Sequence, residues 1–266
     1  MFYLGSTIKN LNIQATDGKL GGIRDILFDD QYWTVRYLVV DTRKWLPGKK
    51  VLLSPISFDY VDLEKEIVNV FASKETIKNA PNKEEDQPIS KQVEIDLADY
   101  YGWPIYWNSY SMLGPWGGYP GPMQLMDAQN QGLIQEEVRS IQSEENHLRS
   151  VNEVKGEFFG YQVNTIDEEI GHVTDFVLDE ANWKITYLVV ETSKLLPGNT
   201  KSYLLATDWI QDIQWEKQQV TVDLTKEQVD KGIGFDRNTP ITREYEEKLY
   251  SSFDKPKYWN SKSHTR

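Results

Sequence analysis

A mainly β protein with minor α content, built as two small β-barrels that each carry one or two short helices, is predicted by three observations. Residues 25–48 (DILFDDQYWTVRYLVVDTRKWLPG) and 175–198 (DFVLDEANWKITYLVVETSKLLPG) align without a gap at an offset of 150 and are identical at half of their positions. Within each copy the apolar residues fall in short runs of strand type separated by turn dipeptides. Helical periodicity begins only where those runs end. Such a repeat implies two similarly folded domains. The predicted boundaries are 1–108 for the first barrel with its helical tail, 109–150 for a Gly/Pro/aromatic linker with a short helix, and 151–266 for the second barrel with its tail.

Taken in order, residues 12–15 form a first strand that runs into the turn Asp17-Gly18, matched by Asp167-Glu168. Gly21-Gly22 and Gly171 open the next strand, where a missing side chain permits a bend or a close approach. Residues 26–29 and 176–179 continue that strand, and Trp33 and Trp183 precede the most strand-like segments, 35–41 and 185–191. These are apolar on both alternation sets, Val35, Tyr37 and Val39 against Leu38 and Val40, as a central strand covered on both sides should be. Pro47-Gly48 and Pro197-Gly198 break the chain in tight turns. A two-residue insertion in the second copy then moves the offset to 152, and strands at 51–53 and 203–205 follow, with last strands at 67–71 and 220–224. Five or six short strands per copy suit a small closed barrel.

Helices are expected after the strands. Thr225 and Gln228 have capping-box spacing, and Ser73 holds the matching place in the first copy. Ile89, Val93, Leu97 and Tyr101 recur every four residues after Pro88, as Ile241, Tyr245, Leu249 and Phe253 do after Pro240. Each set gives a helix with one apolar stripe to lay on a barrel. Both tails end alike, in Pro104-Ile105-Tyr106-Trp107 and Pro256-Lys257-Tyr258-Trp259. Residues 108–122, rich in Gly, Pro, Tyr and Trp, read as a linker without regular structure, and Ile134, Val138, Ile141 and Leu148 fit one side of a short helix leading into the second copy.

Twenty-nine basic residues against 41 acidic ones give a net charge of −12, which opposes association with phosphate backbones and anionic membrane faces. Direct nucleic-acid binding is therefore not expected; nor is membrane insertion, because the longest strongly apolar runs, 37–40 and 187–190, fall far short of the roughly 20 residues a bilayer-spanning helix needs. Cysteine is absent, which removes disulfides, thiol nucleophiles and thiolate metal sites and suits a cytoplasmic setting. The N-terminus has no signal-peptide pattern.

No catalytic constellation repeats alongside the fold positions, so no cofactor, metal or catalytic residue is assigned and the chain is read as a non-enzyme. Asp25 and Asp175 are the acids most deeply set in the repeat; backbone capping at a strand bend is preferred to a role as base or cation ligand. Asp29-Asp30 and Asp179-Glu180 lack the ligand spacing of a calcium loop and read as hairpin ends. His147, His172 and His264 occupy unrelated positions, and position 172 is glycine in the first copy. The aromatic run is the functional lead: Trp103, Tyr106, Trp107, Tyr110, Trp116 and Tyr119 are the candidate partner surface, set against packing on the barrels as the alternative.

Glycine, aspartate, tryptophan, a Tyr-Leu-Val-Val-Asp/Glu-Thr strand and a Leu-Pro-Gly turn, in that order, resemble the PRC-barrel family. Here they are Gly22, Asp25, Trp33, 37–42 and Leu46-Pro47-Gly48, then Gly171, Asp175, Trp183, 187–192 and Leu196-Pro197-Gly198. The resemblance covers roughly 1–80 and 151–230, and the two-copy arrangement is similar to that of tandem PRC-barrel proteins of bacteria. It implies PRC-like barrels acting as binding or assembly modules, as in the cytoplasmic part of the photosynthetic reaction centre H subunit and in a ribosome maturation factor. This sequence lacks the membrane helix of the one and the separate RNA-associated domain of the other. The expected function is thus a scaffold or adaptor whose partner is another protein, with pairing between chains into a homodimer left open. Two alternatives stand beside it: an accessory factor in ribosome or RNA processing, and a small-ligand binder or enzyme using Asp25 and Asp175.

Overall fold

The computed structural model of the chain describes residues 1–42, 49–81, 83–84, 89–107, 122–131, 147–192 and 201–259. The expected turns at Pro47-Gly48 and Pro197-Gly198, the aromatics Tyr110, Trp116 and Tyr119, the helical positions Ile134, Val138 and Ile141, and His264 lie outside the described residues. The chain divides into two compact units. The first holds Met1, Tyr3–Val151 and Asp179–Lys184; the second holds Phe2, Asn152–Leu178 and Ile185–Arg266.

The first part of the chain runs β1 (Phe2–Leu4), α1 (Gly5–Lys9), β2 (Asn12–Ala15), β3 (Gly18–Asp29), β4 (Thr34–Val40), β5 (Lys49–Leu53), β6 (Phe58–Asp62), β7 (Ile67–Val70), α2 (Lys74–Asn79), β8 (Lys83–Glu84), α3 (Lys91–Tyr101), α4 (Pro122–Asn130) and β9 (Leu148–Ser150). Its ladder has the order β6-β7-β2-β3-β4-β5. β2 joins β7 in parallel register, Asn12 opposite Ile67, while the other neighbours on this path are antiparallel. All seven residues of β4 are buried, as a strand apolar on both faces requires. Tyr37 and Val39 on one face meet Leu97 and Ala98 of α3 and Trp103 in a single core cluster. Leu38 and Val40 of the opposite alternation set are also buried.

The second part repeats this plan: α5 (Val151–Lys155), β10 (Gln162–Asn164), β11 (Glu169–Asp179), β12 (Lys184–Thr192), β13 (Ser202–Ala206), β14 (Ile210–Gln214), β15 (Gln219–Val222), α6 (Lys226–Lys231) and α7 (Arg243–Ser252). The ladder order is β14-β15-β10-β11-β12-β13, again with a parallel first-to-last pairing, Gln162 opposite Gln219. Thr225 and Gln228 form the expected capping box at α6, and Ser73 accepts from the Thr76 N–H at α2. The tail helices start at Ser90 and Thr242, whose hydroxyls accept from Val93 and Tyr245, and both end on a left-handed residue, Gly102 at φ 71° and Asp254 at φ 52°.

Four expectations change. The ladders are open: among the described residues no pairing joins β5 to β6 or β13 to β14, because a 3₁₀ turn at Pro55–Ser57 or Thr207–Trp209 redirects the chain between them. The sequence also hides β6 and β14, whose exposed, acid-bearing sets do not read as strand. Part of the expected linker is built structure of the first unit, since α4 spans Pro122–Asn130 and Leu148 sits in β9, paired with β3, not in a helix. Finally, the glycine that the fold demands is Gly21 and not Gly22. A Cβ on Gly21 would stand 1.9 Å from the Asp41 carbonyl oxygen, and one on Gly171 would stand 1.9 Å from that of Glu191. At Gly22 the nearest atom is 3.9 Å away.

The repeated tryptophans make the β3–β4 and β11–β12 hairpins. Trp33 and Trp183 adopt φ of 58° and 55°, the left-handed step that closes each loop. In the first, the Trp33 N–H donates to the Asp29 carbonyl over 2.8 Å, and Asp29 Oδ1 accepts from the Gln31 and Tyr32 N–H groups at 3.0 Å each. The acids at the hairpin end thus cap the turn.

Candidate functional site

Each tail helix buries one carboxylate. In α3, Lys91 and Glu94 lie three residues apart and so share a face. Glu94 is 1% exposed, and the Tyr106 hydroxyl donates to its Oε2 over 3.1 Å, with Tyr37 donating as well. Burial pushes the Glu94 carboxyl up to about 7, against the lowering effect of Tyr106, Lys91, Tyr37 and Arg36. Burial, followed by the nearby Glu94 charge, raises the Tyr106 phenol well above its usual range. The Arg36 guanidinium stands 3.9 Å over the Tyr106 ring, and Lys91 Nζ 4.2 Å over the Trp107 ring.

The second unit builds the same group from equivalent positions. Glu246 is 1% exposed and its Oε1 accepts from Tyr187 at 2.6 Å and from Tyr258 at 3.1 Å. Arg243, at the position of Lys91, meets Glu246 Oε2 at 3.0 Å and lies 4.3 Å over the Trp259 ring. The offset from Tyr37 to Tyr187 is 150, and the offsets from Lys91, Glu94, Tyr106 and Trp107 to their counterparts are all 152. Sequence reasoning missed this repeated constellation, although its trace is there: Lys91-x-x-Glu94 and Arg243-x-x-Glu246 each precede a Tyr-Trp pair at one fixed spacing. In an acid-rich helix such a glutamate passes for a solvated charge, and only burial distinguishes it.

Beside each cluster lies a groove between the 3₁₀ turn and the Pro-x-Tyr-Trp tail. In the first unit Ile56, Pro104 and Tyr106 line it, and Pro122 and Leu125 of α4 close it, leaving a cavity of about 20 Å³. Pro122, Leu125 and Ala128 of that helix are buried, and Gln129 Nε2 donates to the Gly102 carbonyl over 3.4 Å. In the second unit the equivalent positions Asp208, Pro256 and Tyr258 line a groove of about 330 Å³, floored by Trp209 and Tyr250 and edged by Asp223, Lys255 and Lys257.

The aromatics singled out from sequence divide. Trp103 and Tyr106 are buried inside the first unit and Trp107 is half-buried, so these three serve packing and the Glu94 cluster rather than an exposed surface. Asp25 and Asp175 both cap the next N–H, those of Ile26 at 2.8 Å and Phe176 at 2.9 Å. Their second oxygens accept from Ser150 Oγ at 2.6 Å and Arg237 Nη1 at 2.7 Å. Neither lines either groove. His147 lies 3.1 Å from Asp30, and His172 Nδ1 3.2 Å from the Gly160 carbonyl. Among the described residues no three acidic or imidazole groups gather as a metal set, and no helix is long and apolar enough to cross a membrane.

No curated protein matches the chain. The model of the PRC-barrel domain matches it twice, over residues 1–77 and 156–229, which together exceed half of its length. These stretches contain the repeated ladders and the 3₁₀ turns of both grooves, and the tails with their buried glutamates follow each of them. The chain belongs to the PRC-barrel family.

Proposed function

We propose that this chain is a non-catalytic protein-binding module, a scaffold of two PRC-barrel units that each present the tail groove as a seat for a helix. The observation that carries this reading is α4 in the first unit: a short helix buries Pro122, Leu125 and Ala128, spaced one turn apart, and sets Pro122 and Leu125 against the groove beside Tyr106. Helix-in-groove recognition uses just such a row of apolar anchors. The rest of the chemistry fits a binding role, since the buried Glu94 and Glu246 are held by tyrosines within the fold and Asp25 and Asp175 are engaged as caps. In the first unit the chain's own α4 takes the seat, so the groove of the second unit is the one left for a partner.

The test is to release α4 and offer it back. Leu125→Asp in the full chain places a charge at the buried anchor of α4, and thermal melting checks that the units stay folded. A labelled, helix-locked peptide of residues 121–131 should then bind the variant, and bind the wild type far less, because the tethered helix competes at high effective concentration. A folded variant that ignores the peptide would sink the proposal.

A further inference from the structure

We infer that copies of this chain associate head to tail, the Phe158-Phe159 tip of one copy seated in the second-unit groove of the next. The inference goes beyond the helix seat and does not depend on it; a partner helix and a second copy compete for one groove. It starts from a loop at which the two copies of the repeat diverge. The Ile8 and Val154 carbonyls accept from the Leu11 and Tyr161 N–H groups at 3.0 and 2.8 Å, so these pairs are equivalent. The offset is 146 from Ile8 to Val154 and 150 from Leu11 to Tyr161, which puts four extra residues in the second copy. The resulting loop, residues 156–160, carries Phe158 and Phe159. At 85% and 79% they are the most exposed large apolar side chains among the described residues.

The loop is tightly built. Gly156 has φ of 65°, and a Cβ on it would stand 2.0 Å from the Phe159 carbonyl oxygen; one on Gly160 would stand 1.9 Å from that of Val173. His172 supports the tip from the neighbouring strand, with Nδ1 3.2 Å from the Gly160 carbonyl and its ring 5.6 Å from that of Phe159. Position 172 corresponds to Gly22 in the first copy, so the imidazole and the tip it supports occur together in the second copy alone.

Two apolar rings held out in water mark a contact surface. They expose roughly 300 Å², well short of the ~800 Å² that each partner gives to a stable interface, so a flat pairing of two tips is too small and the rings must sink into a pocket. The groove of the second unit is such a pocket, lined by Trp209, Tyr250, Pro256 and Tyr258. An apolar cavity of about 150 Å³ holds one benzene ring, so the groove's volume of about 330 Å³ has room for two. Its charges balance, Asp208 and Asp223 against Lys255 and Lys257, and so do Lys155 and Glu157 beside the tip, which leaves apolar fit to decide the contact. Tip and groove lie at opposite ends of β15: Gln162, just after the tip, pairs with Gln219, whereas the Asp223 N–H, beyond the other end, donates to the Trp209 carbonyl. Closed by the bond between Tyr161 and Val154, the loop does not reach its own groove, and the groove it fits is that of another copy. A knob and a hole at opposite ends of one unit make a heterologous contact that repeats as an open chain.

Sedimentation velocity on the full chain, over a rising series of concentrations, reads the contact. Wild type should pass from monomer to dimer and on to longer species. A tip variant, Phe158→Ser with Phe159→Ser, should weaken this association at least about tenfold and keep its melting temperature, since both side chains are exposed. A groove variant, Asp208→Trp, fills the groove from an exposed rim position and should do the same; Pro256→Arg, also exposed, replaces it if the first change lowers the melting temperature. The equimolar mixture decides: the tip variant keeps its groove and the groove variant keeps its tip, so together they should form a heterodimer and grow no further. Wild type that stays monomeric, a tip variant that associates as wild type does, or a mixture that fails to pair overturns the inference. If it fails while the peptide of residues 121–131 binds the Leu125→Asp chain, the helix-seat reading stands. If the mixture pairs and the peptide is ignored, that reading falls alone.

Discussion

The Tyr258 hydroxyl donates to Glu246 across 3.1 Å, and in the other unit Tyr106 reaches Glu94 over the same distance and the same twelve-residue separation. Each pair ties the end of a tail to the first turn of the helix that precedes it. The tail is thereby folded back beside the 3₁₀ turn, and the groove between them takes its shape from this tie.

Removing the acceptor should therefore loosen the second unit. Glu246→Ala leaves the buried Tyr187 hydroxyl, the half-buried Tyr258 hydroxyl and Arg243 without their shared partner, and a loss of about 2–4 kcal/mol is expected in denaturant unfolding. Tyr258→Phe removes one donor of the set and should cost about 1 kcal/mol. Equal, negligible effects from both would show that the carboxylate does not organise the tail.

Glu94 makes the stability of the first unit depend on pH in a definite direction. Its carboxyl is held near 7 in the fold against 4.5 as an ordinary glutamate, so the folded chain binds the proton more tightly than the unfolded one. The contribution is fully present below the ordinary value and is lost as pH rises through the folded one. Wild type should weaken relative to Glu94→Gln by on the order of 1–3 kcal/mol between about pH 4.5 and pH 7.5. Parallel stability curves for the two proteins across that window would refute the assignment.

Adding a methyl group at three glycines separates the needed from the incidental. Gly21→Ala and Gly171→Ala each drive a Cβ into a carbonyl oxygen of the neighbouring strand, and a loss of about 3 kcal/mol or more is expected from the forced backbone shift. Gly22→Ala has room and should change stability by less than about 1 kcal/mol. Thermal melts of the three variants order them, and a damaging Gly22→Ala would contradict the placement.

Much of the fold was legible because short-range rules set it. The apolar residues of β4 on both alternation sets, Val35, Tyr37 and Val39 against Leu38 and Val40, announce a strand buried on both faces, and Thr225 with Gln228 announces a helix start through two local hydrogen bonds. The family resemblance was legible in the same residues, since they are turn and strand determinants with fixed spacing. The candidate site was barely legible. Glu94 and Glu246 look like surface acids until a strand tyrosine and a tail tyrosine close over them, and those partners lie far along the chain.

By itself, then, the sequence determined that there are two copies, where their central strands and helix caps lie, and that both end in the same tail, because each depends on neighbours a few residues apart. Tertiary structure alone decided the parallel pairing of β2 with β7, the burial of Trp103 and Tyr106, the need for glycine at position 21, and the seating of α4 on the first groove. Those outcomes depend on which distant segments share a volume, and a periodic pattern of apolar residues says which face is buried without saying what will cover it.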